Sequence, residues 1–418
     1  MNKLTLKNAA LVPFFKKLSA VISAVIALES FSVQATEFNG IELTGYMRAG
    51  AYSSPAGSPP GGYTLGGDTQ KFRLGNEGDT YGELGIGKTF EAASGMKWRL
   101  LYMPSVWNGV YGTAQAFASV SGLAFAPEAR FWAGQQYMRI QEVHIVDRYF
   151  MDYGDNIGVG MTDYNLGSAK LALGFSTGGS IGNNSHVANQ ASRINVDVSE
   201  MNINAGGTLR TLITLVQGNF QMGTPGAGLS ISHNQADFLY PGLTHTVFLQ
   251  SATGHAGLSG QFLGLGDAGT AAGEQPGANS LRVADSINWQ NGPFGGQTLL
   301  AYQTATIQGG INNAISTRDV TLGARVSYAM SEHFKLLAEA GTTSRSIDAQ
   351  ISQRLNKFTI APTLALAPDF WSRPELRFYI THASWNDAAA AANAGVGGFG
   401  VGGRTSSIIA GIQMEAWW

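Results

Sequence analysis

Taken in steps of two, the stretch "RDVTLGARVSYAM" (318–330) separates into two faces: Val320, Leu322, Ala324, Val326, Tyr328 and Met330 on one, Asp319, Thr321, Gly323, Arg325 and Ser327 on the other. After Ser331-Glu332-His333 the alternation resumes, with Phe334, Leu336, Ala338 and Ala340 on the apolar face and Lys335, Glu339 and Thr343 on the polar one. A period of two over two such runs predicts a hairpin of long strands. The same pattern places Ile41, Leu43, Met47, Ala49 and Ala51 opposite Glu42, Thr44, Tyr46 and Arg48. At the C-terminus Ile408, Ala410, Ile412, Met414, Ala416 and Trp418 form one face, and Gln413, Glu415 and Trp417 the other.

A soluble sandwich with one wet face has the same alternation. Strand length and repetition separate the two cases. These runs reach about ten residues, beyond the usual five or six, and ten-residue strands suit a tilted crossing of a bilayer. The expected fold is therefore all-β: a transmembrane antiparallel β-barrel, closed so that no strand edge faces lipid. Trp418 then points outward at the membrane interface, where its amphipathic ring is favoured, and Trp417 points into the lumen. Short connections such as 331–333 suit the periplasmic rim, and the Gly- and Ala-rich stretches 53–70, 264–280 and 386–404 suit the outer one.

Composition agrees. Hydrophobic residues make up 44% of the chain and charged residues only 13%, against about a quarter charged in soluble domains. There is no cysteine, so a disulfide-stapled scaffold is excluded. A formal net charge of −2 argues against nucleic acid as a partner. At the N-terminus Lys3, Lys7, Lys16 and Lys17 precede the largely apolar run Leu18–Leu28, which closes on Val33-Gln34-Ala35. That is the form of a secretory signal peptide, too short to span a bilayer. Residues 1–35 are expected to be removed, leaving 36–418 as a single barrel domain.

The stretches "GYMRAG" (45–50), "KFRLGNEGDTYGELGIG" (71–87), "FWAGQQYMRIQEVHIVDRYFMD" (131–152), "INAGGTL" (203–209), "WSRP" (371–374) and "QMEAWW" (413–418) occur in this order in the maltoporin and sucrose-porin family of sugar-specific bacterial outer-membrane channels, which the chain resembles over nearly all of 36–418. The resemblance implies about 18 strands, a third loop folded into the barrel, a homotrimer in outer-membrane lipid, and passive diffusion of oligosaccharides without catalysis. It also implies an aromatic slide for sugar rings at Tyr46, Tyr81, Trp371 and Trp417, with Trp107 in the place of a loop tryptophan that relatives extend into a neighbouring subunit. The polar track and constriction would be Arg48, Arg73, Glu83, Glu142, His144, Asp147, Arg148 and Tyr149.

Independent reading of the residues agrees for three of the aromatics: Tyr46 shares its face with Arg48, Tyr81 with Glu83, and Trp417 with Glu415. A pyranose offers apolar C–H patches to a flat ring and hydroxyls to charged neighbours. The alternatives left open are girdle aromatics facing lipid, an ordinary loop aromatic at Trp107, and a strand parity at Trp371 that the sequence does not fix. His144 with Glu142 and Asp147 could suggest a metal or hydrolytic site, but no second histidine cluster or nucleophilic serine motif accompanies it. No metal and no cofactor are expected. Ile140 and Arg148 depart from the family pattern at the constriction, which bears on maltodextrin specificity. Two other readings remain: a general diffusion porin without sugar preference, and a barrel-embedded lipase, which needs a Ser-His-Asp or Asn triad on the lipid face.

Overall fold

The computed structural model describes residues 36–38, 40–54, 62–67, 69–155, 157–177, 192–217, 224–256, 278–309, 313–394, 399 and 403–418. The leader 1–35 and residues 264–277 of the glycine-rich stretch 264–280 lie outside the described residues. Among the described residues nineteen strands form one antiparallel sheet, and the three-residue strand Thr36–Phe38 pairs only with the first long strand, Ile41–Ser53. The other eighteen close on themselves, because Ile41–Ser53 pairs with both its sequence neighbour Tyr81–Glu91 and the last strand, Ser406–Trp417. Trp418 completes the seam: its N–H donates to the Gly45 carbonyl at 3.1 Å and its carbonyl accepts from the Gly45 N–H at 3.0 Å.

The barrel is inverted relative to a soluble protein. On the hairpin read above, now Asn313–Ala329 and Phe334–Ile347, Leu322 is 53% exposed while Arg325 and Glu339 are 1% and 3% exposed. Lipid solvates the outward apolar side chains, and charges turn inward, where they pair with one another.

The interior is packed. The first outer connection, expected on the outer rim, turns inward over residues 62–67 and 69–77. Phe72 and Leu74 are each 1% exposed, and Lys357 on the strand Gln353–Ala365 donates to the carbonyls of Tyr63, Lys71 and Phe72. The Phe72 ring fits against Gly323 and Gly341, paired residues on neighbouring strands. A Cβ on Gly341 would stand 2.2 Å from the ring, so only glycine admits it here. The connection 386–404 is also drawn inward at its start: the helix Asp387–Ala392, capped by Asn386, buries Ala389 against Tyr63 and Trp385.

As expected, the third outer connection folds into the lumen. It is a small hairpin of its own, Arg139–Val143 with Arg148–Asp152, joined by a 3-10 turn over His144–Val146. Its tip enters an internal hydrophobic cluster with Phe72, Phe150, Phe248, Leu299 and Phe370. Two outer loops and, through Phe370, the turn 366–374, on the same periplasmic rim as 331–333, thus meet inside the barrel.

Candidate functional site

Cross-strand partners in an antiparallel ladder point to the same face, so the register fixes one wall of the passage. Tyr46 pairs with Glu83 on one side and Trp417 on the other; Arg48 pairs with Tyr81 and with Glu415. Trp107 lies opposite Tyr81. These side chains face the lumen: the Tyr46 hydroxyl donates to Glu415 at 3.0 Å and accepts from Arg73 of the inward first loop at 2.8 Å. A lipid-facing girdle is therefore excluded for Tyr46, Tyr81 and Trp417.

The aromatics follow one another along this wall. Trp107 ends a strand at the two-residue turn Asn108-Gly109, where both residues have positive φ, as tight hairpins require. Tyr81 stands 6.0 Å from Tyr46, centroid to centroid. Trp417 and Trp371 both meet the His144 ring, at 5.8 and 5.2 Å. Trp371 sits on no strand. It belongs to the turn between Gln353–Ala365 and Glu375–Trp385, which is why alternation could not place it. Arg373 of the same turn lies over the Trp417 ring at 4.2 Å.

Trp107 stands at the end of this short hairpin, and its indole N–H donates to Asp79 of its own chain at 3.0 Å.

Charged groups border the wall in two layers. The accessible layer holds half-buried Arg48, Lys71, Asp79, Glu83, Glu142, Asp147, Arg148 and Tyr149. Arg48 forks onto Asp79 at 3.0 and 2.8 Å and reaches Glu77 at 3.2 Å. Asp147, held in the left-handed region at φ 54, takes Lys71 at 2.6 Å and faces Arg48 at 3.7 Å. Burial alone would raise the Asp147 carboxyl, but Arg73, Lys71 and Arg48 outweigh it and hold the group well below the usual carboxylate range. Glu83 accepts the phenol protons of Tyr81 and Tyr137, and Arg139 stacks on Tyr137 at 3.5 Å while pairing with Asp155 at 2.5 Å.

The second layer is sealed. Glu415 is fully buried and receives Arg73 at 2.7 Å, Arg373 at 2.9 Å, and Arg377. Removing one member of such a cluster leaves a buried charge uncompensated, at a cost of about 3–5 kcal/mol. Two residues expected on the polar track belong here. Arg73 is 3% and His144 1% exposed, so neither is presented to a passing solute, because loop packing covers them.

The sequence reading missed Lys71, Asp79, Tyr137 and the buried cluster around Glu415. Strand parity points Glu415 and Arg377 inward and could have found them. Nothing local marks Lys71 or Tyr137, whose connections enter the lumen only through distant partners. Among the described residues no group of three or more His, Asp and Glu is arranged to hold a metal ion.

A closed eighteen-strand barrel with apolar exterior, charged interior and a loop folded across its lumen is a membrane pore of the porin class. The LamB porin family matches residues 41–418, and the chain belongs to that family; it is a protein of the bacterial outer membrane. It is 27% identical over 441 residues to the maltoporin of Vibrio cholerae serotype O1, covering 96% of this chain and all of that one. It is 26% identical over 438 residues to the maltoporin of Hahella chejuensis, covering 96% and 97%. Among solved structures, the anion-selective porin from Comamonas acidovorans matches with a TM-score of 0.47 at 12% identity, covering 90% of this chain and 99% of that chain. The trimer form of OmpT from Vibrio cholerae matches with a TM-score of 0.44 at 10% identity, covering 90% and 99%. The architecture rests on this chain's own strand pairing.

Proposed function

We propose that this porin is sugar-selective, passing oligosaccharides by diffusion along the wall formed by Trp107, Tyr81, Tyr46, Trp417 and Trp371. The observation that carries the reading is the line of lumenal aromatics interleaved with Arg48, Glu83 and Asp147. Each ring offers a stacking face worth on the order of 1 kcal/mol. Several weak sites in series let a sugar enter and leave, whereas one deep pocket would retain it. The maltoporin relatives support carbohydrate as the solute class. A homotrimer, removal of residues 1–35 and a single domain over 36–418 complete the proposal.

The test is sugar-induced block of ion current in planar bilayers, across mono-, di- and oligosaccharides. A sugar-selective channel is blocked at millimolar concentrations or below, with affinity rising with chain length. Absence of block by every sugar leaves the general diffusion porin as the correct reading.

A further inference from the structure

We infer that His144 is a positioning residue which ties the tip of the third loop to the periplasmic turn, and that its protonation releases this tie and widens the passage. This rests on the pore reading, not on sugar selectivity.

His144 heads the 3-10 turn at the loop tip and is buried. The charged groups around it are Arg73 from the first loop, Glu142 and Asp147 from its own loop, Arg373 from the periplasmic turn, and Glu415 from the last strand, while the strand Phe294–Gly309 presents the uncharged Gln297. Three polar atoms meet its two ring nitrogens. Nδ1 lies 2.9 Å from a Glu142 oxygen and 3.2 Å from an Arg73 nitrogen, and Nε2 lies 3.2 Å from an Arg373 nitrogen.

A neutral imidazole has one donor and one acceptor, whereas arginine only donates and a carboxylate only accepts. A proton on Nδ1 satisfies Glu142 and leaves Nε2 to accept from Arg373, with only the longer Arg73 contact opposed. The other tautomer keeps only the Arg73 contact and sets two N–H groups against each other at Arg373. Geometry thus assigns the proton to Nδ1, and makes the Arg373–Nε2 hydrogen bond the link between loop tip and turn. Trp371 and Trp417 both abut the same ring, so one imidazole sets the spacing of two wall aromatics.

A second proton goes to Nε2 and turns the acceptor into a donor facing Arg373. The link is lost, and a third cation joins Arg73 and Arg373. Burial, then Arg73, hold the imidazolium below its ordinary value of 6.5. A buried neutral histidine binds fewer protons than a released one, so the tie is intact above that value and weakens as pH falls below it. Glu142, Glu77 and Asp147 are depressed, so they stay charged while this happens. Asp155 and Asp152 at the root of the loop are raised, Asp152 to about 8, and give the channel a pH response of their own.

The test is single-channel conductance of the full chain, without sugar, from pH 7.5 to 4.5, for wild type, His144→Gln and His144→Ala. Glutamine keeps one donor and one acceptor but does not titrate. The wild type should show a conductance rise in acid, superimposed on the response of Asp152 and Asp155. His144→Gln should hold wild-type conductance at pH 7.5 and lose the rise, and His144→Ala should be high throughout. An identical acid rise in His144→Gln, or wild-type conductance at pH 7.5 in His144→Ala, overturns the inference. Failure of sugar block leaves it standing, because no sugar is present in this measurement.

Discussion

Phe72 decides whether the first loop is part of the constriction or a passenger on it. Its ring is buried, and it enters a recess made by Gly323 and Gly341 on the facing wall. Phe72→Ala removes a fully buried aromatic, which costs about 3–5 kcal/mol where the site does not collapse. A ladder-bonded barrel wall cannot close a recess lined by two glycines, so the loss falls on the loop. At 1.4 kcal/mol per tenfold, the population with the loop detached should rise by at least about a hundredfold. Gly341→Ala attacks the same contact from the wall. The new Cβ would lie 2.2 Å from the ring, and its three nearest atoms all belong to Phe72, so overpacking of about 1–3 kcal/mol acts on the ring alone. Gly323 is a poorer choice, because a Cβ there also meets the Ala340 carbonyl oxygen at 2.7 Å.

Both variants should raise conductance and current noise in planar bilayers, while heat-resistance of the barrel on gels stays near wild type, since no ladder hydrogen bond is touched. In the double variant the alanine methyl occupies space that the ring has left, so its effect should be smaller than the sum of the two. A change in only one of the single variants, or an additive double, would refute the interlocked contact.

Three further outcomes follow from the site. Trp417→Ala should weaken sugar block about fivefold, the loss of one stacking contact of about 1 kcal/mol, with little change in conductance, because the ring lines the wall without crossing the passage. Tyr149→Ala should raise conductance and weaken sugar block together, since this half-buried ring stands on the loop that crosses the lumen; unchanged values in a folded variant would remove it from the constriction. Asp147→Asn deletes one of the two carboxylates, the other being Glu77, that Lys71 and Arg48 share, and reversal potentials in a KCl gradient should shift toward anions. Because that carboxyl is held well below 3.8, the wild-type pair persists as pH falls to 4 and is lost only under stronger acid.

The resemblance places Tyr46, Tyr81 and Trp417 on one track, and the register agrees because each lies on a strand whose alternation is local. Trp371 and His144 show where that logic ends. Both are in connections, where no two-residue period applies. The resemblance implies a place for the imidazole on the polar track, beside Glu142 and Asp147, which are half-buried. Its own burial comes from Arg73 and Arg373, which no local pattern connects to it.

By itself the sequence determined the wall: which residues form strands, and which face meets lipid. A strand's inward and outward faces follow from backbone geometry, residue by residue, and lipid outside with water inside makes each face legible as composition. Only the tertiary structure decided the passage. Whether a loop enters the lumen depends on what awaits it there, as Gly341 awaits Phe72 and Lys357 awaits three loop carbonyls. Those partners come from opposite ends of the chain and meet only once the barrel has closed.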